Sequence, residues 1–273
     1  MDSLEYWNMR AESFGGTNAQ THASGCTKGY MPRFIELLAL EDGQSVFDMG
    51  CATGTLAAPL AREGHSICAR DFSPRMIDRL QQITRDENLP IDAAVMAWED
   101  DWAECGIEAG SYDVAVASRS LPYRPDELRK ALADLDQVAR VKCVVTVSAS
   151  TAPAYDARLC AHLGREIPVP KNHVRVIDVL AEMGRLPTLS YIPFHRPMRF
   201  TDRDMAYLEL RKLAGREELD AREEEQFERY AAEHFTVSDE DGQIVYQLDY
   251  RLDVQWAFIS WTTNQANVLE RGR

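Results

Sequence analysis

A glycine-rich turn early in the chain is the segment best suited to bind a ligand. Residues 46–55 are Val-Phe-Asp-Met-Gly-Cys-Ala-Thr-Gly-Thr, an apolar run that predicts a buried strand and leads into Gly50 and Gly54. Glycine lets a ligand approach the backbone closely, and the amides that open a following helix point toward it. A dinucleotide pyrophosphate site would need Gly at 50, 52 and 55, and only Gly50 is present. The turn therefore predicts a different ligand.

Acidic residues follow the next two predicted strands. Asp71 comes directly after the strand predicted over 66–70, and Glu99 and Asp100 follow the one predicted over 93–97. An ionised carboxylate offers two acceptor oxygens to a ligand. Asp71 could instead be the N-cap of the helix that follows.

The elements that carry these residues alternate between strand and helix. Strands are predicted over 45–49, 66–70, 93–97, 112–117 and 143–147, and helices over 34–40, 56–63, 75–87 and 127–138. Such alternation is typical of right-handed βαβ units in a parallel sheet. The predicted fold is therefore α/β: a doubly wound, mostly parallel seven-stranded sheet with helices on both faces and an antiparallel C-terminal strand pair.

The pattern changes after residue 150. Helices are predicted over 153–164, over 172–184 with Asn172 as N-cap, after an N-cap at Thr201, and over 216–233. A proline-rich stretch with Pro187, Pro193 and Pro197 lies between the second and third of these helices. Even positions are apolar or aromatic over 246–258, which predicts a strand. We expect one domain over 1–273, with N-terminal lid helices (1–44), a ligand-binding half (45–150) and a second half (151–273).

Composition narrows the function classes. The 273 residues carry a formal net charge of −14, and phosphate backbones are bound mainly by Lys and Arg, so we expect no nucleic-acid partner. No signal sequence and no apolar run of membrane-spanning length is present, so we expect a cytoplasmic protein without membrane association. The six cysteines have no CxxC spacing, and no metal site is expected. The sequence predicts no oligomeric state.

The glycine-rich segment resembles the first motif of class I, Rossmann-like S-adenosylmethionine-dependent methyltransferases. That motif has an acidic residue followed by Gly-x-Gly-x-Gly or Gly-Cys-Gly-Thr-Gly. The matching residues here are Asp48, Gly50, Cys51, Thr53 and Gly54, and Ala52 stands where glycine is commoner. A methyl group is the smallest possible addition, so we expect this departure to be mild unless residue 52 needs a positive φ.

Further segments match the family in the same order. Residues 71–76, Asp-Phe-Ser-Pro-Arg-Met, resemble its D-x-S-x-x-M stretch. The resemblance implies that Asp71 binds both ribose hydroxyls, that Phe72 and Met76 lie near the nucleoside, and that Glu99 or Asp100 receives the adenine amino group. It leaves open which acid does so, and whether Trp98 lines the adenine or is a core aromatic.

Two more matches complete the resemblance, which covers about residues 5–150. Residues 112–118 resemble the fourth motif, which implies that Ser118 to Leu121 form the floor beneath the methionine part. Residues 6–11, Tyr-Trp-Asn-Met-Arg-Ala, resemble the leading helix of ubiquinone-biosynthesis-type methyltransferases, so Trp7 and Arg10 would close over the cofactor.

The resemblance implies methyl transfer from S-adenosylmethionine to a small-molecule acceptor by in-line displacement. The Asn-Pro-Pro-Tyr signature of many amine-methylating relatives is missing, because Ser-Arg-Ser-Leu stands at 118–121. The sequence assigns no catalytic residue. The candidates are Arg119 and Tyr123, which could contact the acceptor or pack at the surface, and His195, which could be a general base or a solvated loop histidine. The alternatives are a non-catalytic S-adenosylmethionine-binding sensor or scaffold and, more weakly, a nicotinamide-dependent reductase.

Overall fold

A single mixed sheet organises the chain. The computed structural model describes residues 3–11, 22–122, 124–215 and 218–263. The helices within them are α1 (Ser3–Arg10), α2 (His22–Leu38), α3 (Ala57–Arg62), α4 (Pro74–Glu87), α5 (Pro125–Val138), α6 (Ala157–Leu163), α7 (Asn172–Glu182), α8 (Arg203–Arg211) and α9 (Ala221–His234). The strands are β1 (Val46–Met49), β2 (Ile67–Asp71), β3 (Ile91–Val95), β4 (Tyr112–Ser118), β5 (Ala139–Ser148), β6 (Thr188–Phe200), β7 (Phe235–Glu240) and β8 (Gln243–Thr262).

The strand order is β3-β2-β1-β4-β5-β8-β6, and β7 pairs with β8 outside that path. Strands β1 to β5 are parallel, whereas β8 runs antiparallel to both β5 and β6. The predicted doubly wound fold with antiparallel C-terminal strands is confirmed. The order reverses at β1, so β1 and β4 form the switch point beside which ligands bind in open α/β sheets.

Two apolar layers cover the sheet. One face packs against α2, α3 and α4 through side chains that include Phe34, Leu60 and Leu80. The other packs against α5 and α7 through residues that include Leu132 and Leu180. Strand β1 is buried at all four residues, as expected of a strand covered on both faces. Because β1 is packed on both faces, the position of its carboxyl end in the sheet is fixed.

Strands β6 and β8 extend beyond the carboxyl edge of the parallel strands. Ser148, the last residue of β5, pairs with Trp256, so residues 243–255 of β8 continue past it as a ribbon with β6 and β7. The inner face of the ribbon packs against α8 and α9, with Phe227 and Leu210 in the same apolar cluster. The second half of the chain thus extends the structure beyond the carboxyl edge of the parallel strands.

Several local predictions in this half were wrong. The described residues form eight strands rather than seven, because the hairpin partner β7 was missed. The proline-rich stretch is strand β6, which accommodates Pro193 and Pro197 because its other edge has no strand partner among the described residues.

Two helix caps were assigned one residue too late or too early. Asn172 lies inside α7, whose N-cap is Lys171. Helix α8 is capped by Asp202 rather than by Thr201, and the Asp202 side chain accepts a hydrogen bond from the Met205 amide. The charged last helix begins at Ala221 after a capping box formed by Asp220 and Glu223.

Candidate functional site

The glycine-rich turn lies at the carboxyl end of β1 and is tied to β2. The amides of Gly50 and Cys51 both donate to the carbonyl oxygen of Arg70, at 2.7 and 3.0 Å. Gly50 has φ +79°, and a Cβ built on it would lie 2.2 Å from the Cβ of Ser120. Glycine is therefore required both for the backbone conformation and for the close approach of the β4 end.

Ala52 also has a left-handed backbone, with φ +50°. This corrects the expectation of a mild departure, because an L-residue with a Cβ is strained in that region by about 1–2 kcal/mol. The turn nevertheless stays accessible, since Gly50, Ala52 and Thr55 are partly exposed while Cys51 and Thr53 are buried. The strain is retained at the residue whose amide points at Asp71.

Asp71, the last residue of β2, faces the turn. Its Oδ2 accepts a 2.9 Å hydrogen bond from the Ala52 amide, and its Oδ1 accepts one of 2.9 Å from the Ser73 amide. Burial raises the pKa of Asp71, and these two hydrogen bonds lower it in part. Two amide donors use two of about four lone-pair sites on a carboxylate. One site on each oxygen is left for a ligand.

Asp48 lies beside this pair on β1 and is 2% exposed. Burial, with a smaller contribution from the charge of Asp71, raises its pKa from 3.8 to about 7. Among the described residues, its buried Oδ2 and the buried Thr53 hydroxyl have no hydrogen-bond partner. Buried polar groups are normally paired, so unpaired ones mark a place where a bound molecule can complete the hydrogen bonding.

Cys51 is buried inside the turn. Its side chain is 3% exposed, and burial followed by the charges of Asp48 and Asp71 raises the pKa of its thiol. A thiol held in its neutral form is a poor nucleophile.

Helix α4 begins directly after Asp71. The Ser73 side chain caps it by accepting from the Met76 amide, and Pro74 takes the first helical position. Phe72 is partly exposed beside the carboxylate, whereas Met76 is 1% exposed and packs inward. Of the two predicted nucleoside contacts, only Phe72 has accessible surface in this conformation.

The segment after β3 brings Trp98 and two acids to the same edge. The indole Nε1 of Trp98 donates to the Ser120 carbonyl at 2.8 Å, which links this segment to the end of β4. Asp100 closes its own turn by accepting from the Ala97 amide at 2.8 Å, and both Glu99 and Asp100 are exposed. A cavity of about 640 Å³ opens beside these two acids and is otherwise lined by residues 101–103 and 107–109 and by α5.

The end of β4 is held by a chain of hydroxyl groups. The Tyr30 hydroxyl lies 2.9 Å from the Ser118 Oγ and 2.6 Å from the Thr146 Oγ1, and Tyr30 is fully buried. The Ser120 hydroxyl donates to the Met49 carbonyl at 2.6 Å, so β4 is joined to β1. Leu121, the last predicted residue of this floor, is buried.

Arg119 lies between these two serines with a left-handed backbone, φ +63°. Its amide donates to Thr146, and its guanidinium lies 4.5 Å from the Tyr30 ring centroid and 5.6 Å from that of Trp256. The structure thus brings one predicted acceptor contact to the carboxyl edge of the sheet. Tyr123, predicted for the same role, lies outside the described residues.

Helix α1 reaches the start of α4. The Ser73 hydroxyl donates to the Asn8 Oδ1 at 2.7 Å, and the Trp7 side chain is partly exposed next to it, with the Tyr6 ring 5.4 Å away. The backbone of Arg10 ends the helix, and its side chain lies outside the described part of the structure.

His195 is separate from this group. It lies in β6 rather than in a loop, and its Nδ1 is 2.6 Å from the Asp253 Oδ1 on the outward face of the ribbon. The two side chains are 67% and 83% exposed. Its neighbour Phe194 faces the core instead, so strand alternation turns His195 toward solvent.

Three contributors at this edge were missed by the sequence. Ser73 had a usable signal, because Ser-Pro before a helical pattern is an N-cap followed by proline at the first position. Tyr30 and Trp256 had none, since each meets the site through contacts between residues far apart in the chain.

The fold is that of a Rossmann-like α/β domain. Its candidate ligand site lies at the carboxyl ends of β1, β2 and β4. Residues 46–142 match the family described as a methyltransferase domain. This segment is therefore a methyltransferase domain, of the class that uses S-adenosylmethionine as cofactor, and the resemblance is confirmed.

Similar proteins agree with this family. The magnesium-protoporphyrin O-methyltransferase of Rhodobacter capsulatus is 34% identical over 125 residues, which are 44% of this chain and 53% of that protein. The ubiquinone biosynthesis O-methyltransferase of Xanthomonas axonopodis pv. citri is 31% identical over 84 residues, 31% of this chain and 34% of that protein. The chain thus matches about half or less of the length of these relatives.

A solved structure shows the same fold. Magnesium protoporphyrin IX methyltransferase from Synechocystis, solved with bound S-adenosylhomocysteine, superposes with a TM-score of 0.51 at 12% identity. The superposition covers 93% of this chain and 94% of that one.

Two further properties of the described residues concern membrane spanning and metal binding. None of their helices is long and apolar enough to cross a membrane. They contain no group of three or more His, Cys, Asp or Glu side chains placed to hold a metal ion.

Proposed function

We propose that the protein transfers the methyl group of S-adenosylmethionine to a small-molecule acceptor at the carboxyl edge of β1, β2 and β4. The observation that carries the proposal is the fixed carboxylate of Asp71 beside an open glycine turn. With one acceptor site left on each oxygen, Asp71 matches the two hydroxyls of a ribose. The same carboxylate offers no donor for a diphosphate.

The residues around the turn fit the cofactor in a second respect. The unpaired, buried Asp48 Oδ2 and Thr53 hydroxyl lie in the motif that would surround it. Gly50 lets the turn lie against the end of β4, because any side chain there would meet Ser120. These features support a ligand that lies flat against the turn.

The predicted contacts enter the proposal as follows. Asp71 would bind the ribose, Phe72 and Trp98 would contact the adenine, and Ser118 and Leu121 would form the floor beneath the methionine part. We favour Glu99 over Asp100 for the adenine amino group, because the Asp100 carboxylate already closes its own turn. The remaining contacts are Asp48, Gly50, Cys51, Ala52, Thr53, Gly54 and, from α1, Trp7 and Arg10. Met76 is 1% exposed, so it would support the nucleoside side of α4 from below its surface.

The chemistry of the bound cofactor is that of an activated methyl group on a sulfonium, which a nucleophile attacks in line with the departing sulfur. The protein's part is orientation and exclusion of water. Asp71 and the turn would fix the nucleoside, and α1, tied to Ser73 through Asn8, would cover it. The acceptor approaches from the side of β4 and β5. The proposal leaves open whether O, N, C or S is methylated.

A small acceptor and a cytoplasmic location are part of the proposal. The formal charge of −14 opposes nucleic acid, and both similar enzymes carry names of small-molecule methyltransferases. We further propose that residues 1–44 act as a lid, that residues 45–150 bind the cofactor and that residues 151–273 shape the acceptor side.

Calorimetry of the purified protein with S-adenosylmethionine tests the proposal. We expect binding in the micromolar range, and we expect Asp71→Asn to weaken it at least tenfold because the neutral amide is a poorer partner for two hydroxyls. Asp78→Asn, an exposed position on α4, changes the charge equally and should leave the affinity unchanged. Equal affinity of the Asp71 variant and the wild type would remove Asp71 from the site.

A further inference from the structure

Arg119 presents a guanidinium at the acceptor side of the sheet. In the strand order β2-β1-β4-β5-β8, Asp71 ends β2, Arg119 follows β4 and Trp256 lies on β8. The guanidinium points from the end of β4 toward Tyr30 and Trp256, which is away from Asp71. Ser120, which contacts the Gly50 turn, separates it from the cofactor motif.

The surroundings of this cation are aromatic rather than acidic. The ring centroids of Tyr30 and Trp256 lie 6.0 Å apart with their planes at 71°, and the guanidinium lies against both. Aromatic faces attract a guanidinium and hold its plane in one orientation. The side chain is therefore positioned before any ligand arrives.

Arg119 has no carboxylate partner among the described residues. Other partly buried arginines of the chain do have one, as Arg165 has Glu223 and Arg185 has Asp136. The Arg119 Nε is buried without a hydrogen-bond acceptor in the described structure, although the residue as a whole is partly exposed. A desolvated cation is costly unless an anion pairs with it.

The backbone at Arg119 is strained as well. A φ of +63° in a residue with a long side chain costs about 1 kcal/mol or more, and such strain is concentrated at ligand sites. The Arg119 amide, shared between the carbonyl oxygen and the Oγ1 of Thr146 at 3.1 Å each, holds the residue in this conformation. The fold thus keeps a cation that has no carboxylate partner among the described residues at the edge where the acceptor would approach.

We infer that the methyl acceptor carries a carboxylate, which the guanidinium of Arg119 binds beside the reacting atom. This inference rests on the proposed methyl transfer. A guanidinium is a planar fork of donors that matches a carboxylate in a bidentate fashion, and Tyr30 and Trp256 present that fork in a fixed orientation. Specificity for an anionic acceptor also fits a chain whose overall charge gives no general attraction for anions.

Acceptor pairs that differ only in charge test the inference. The wild type is supplied with S-adenosylmethionine and a panel of hydroxy- and amino-carboxylic acids, each matched with its primary amide, and S-adenosylhomocysteine formation is measured. We expect at least one acid to be methylated with a kcat/KM at least tenfold above that of its amide. Methylation of no acid, or of the amides equally well, by protein that binds S-adenosylmethionine overturns the inference.

Variants of Arg119 assign the effect to this side chain. Arg119→Asn removes the charge and tolerates the left-handed backbone, so we expect it to fold and to lose at least tenfold in kcat/KM for the acids but not for the amides. Arg119→Lys keeps the charge but loses the planar fork, so we expect its kcat/KM for the acids to lie between those of the wild type and Arg119→Asn. Arg229→Met, at an exposed position on α9, removes one charge and should change kcat/KM neither for the acids nor for the amides. An Asn variant with unchanged preference for acids overturns the role of Arg119.

A last comparison excludes the cofactor's own carboxylate as the anion. The affinities of wild type and Arg119→Asn are measured for S-adenosylhomocysteine and for 5′-methylthioadenosine, which lacks the amino-acid part. We expect the substitution to change both affinities less than threefold. Loss of S-adenosylhomocysteine binding alone would place the guanidinium on the cofactor and refute the acceptor assignment. Failure of the wild type to bind either compound would instead refute the proposed function.

Discussion

The backbone amide of Ala52 lies 2.9 Å from the Oδ2 of Asp71, and this hydrogen bond joins the turn after β1 to the end of β2. The donor is held in a left-handed conformation at φ +50°, and the acceptor is 6% exposed. A strained backbone and a buried carboxylate each lower the free energy of unfolding, so this arrangement is less stable than an unstrained turn without a buried charge. This hydrogen bond and the one from the Ser73 amide hold the carboxylate that we propose to bind the ribose hydroxyls.

Replacing Ala52 by glycine should stabilise the protein. Glycine adopts a positive φ without the Cβ clash, and we expect the free energy of unfolding to rise by about 1 kcal/mol, less the extra entropy of the unfolded chain. The amide remains, so the affinity for S-adenosylmethionine should not fall. Urea unfolding measures the change. Ala133→Gly, at an exposed position inside α5, should lower the free energy of unfolding by about 1 kcal/mol.

Gly50→Ala should have the opposite effect, and a larger one. The new Cβ would lie 2.2 Å from the Ser120 Cβ at a φ of +79°, so both overpacking and backbone strain act. We expect a loss of more than about 2 kcal/mol in the free energy of unfolding. Gly43 has a similar φ of +78° with nothing within 4 Å, so Gly43→Ala reports strain alone and should cost about 1 kcal/mol. Equal losses in the two variants would show that the Ser120 contact is unimportant.

The sequence predicted the half of the fold whose pattern is local. Strands β1 to β5 are short apolar runs, most of them separated by amphipathic helices, and the positions of Asp48 in β1 and Asp71 at the end of β2 follow from that placement. Position 52 shows the limit of such reasoning, because a composition of Gly, Ala and Thr does not tell which residue takes a positive φ. The backbone at Ala52 is set by its contact with a residue on another strand.

The second half was harder for a physical reason. Pro193 and Pro197 argue against a central strand, yet β6 lies at an edge of the sheet, which only the tertiary arrangement reveals. His195, a titratable side chain between two prolines, was a candidate for the acceptor side, but strand alternation directs it to the outer face, where it contacts Asp253. Arg119 was no more prominent in the sequence than Tyr123. Its contacts with Tyr30 and Trp256 come from helix α2 and strand β8.

Removal of the Asn8 side chain should loosen the lid without unfolding the domain. Asn8→Ala deletes the acceptor of the Ser73 hydroxyl, while Ser73 still caps α4 through the Met76 amide. We expect S-adenosylmethionine to dissociate several times faster, and the free energy of unfolding to fall by no more than about 1 kcal/mol. Stopped-flow displacement measures the dissociation rate.

Gln82→Ala provides the matched control for the lid. It removes two exposed side-chain hydrogen bonds within α4, one donated to Asp86 and one accepted from Arg85, and should leave the dissociation rate unchanged. An equal rate in the Asn8 variant and the wild type would show that α1 does not cover the cofactor.

Asp48 should make the stability of the free protein depend on pH. Its folded-state pKa is about 7 against 3.8 for the unfolded chain, chiefly because the carboxyl is buried. Between these values the folded state binds the proton and the unfolded state does not, so the free energy of unfolding falls as pH rises from about 4 to 7 and levels off above. A shift of this size corresponds to roughly 4 kcal/mol over the whole window. Urea unfolding of the wild type and of Asp48→Asn at pH 5, 6, 7 and 8 separates this contribution from that of other groups, because the amide does not titrate. If the two proteins show the same slope between pH 5 and 7, then Asp48 is already ionised in the folded state, and the buried, unpaired carboxyl would have to be hydrated.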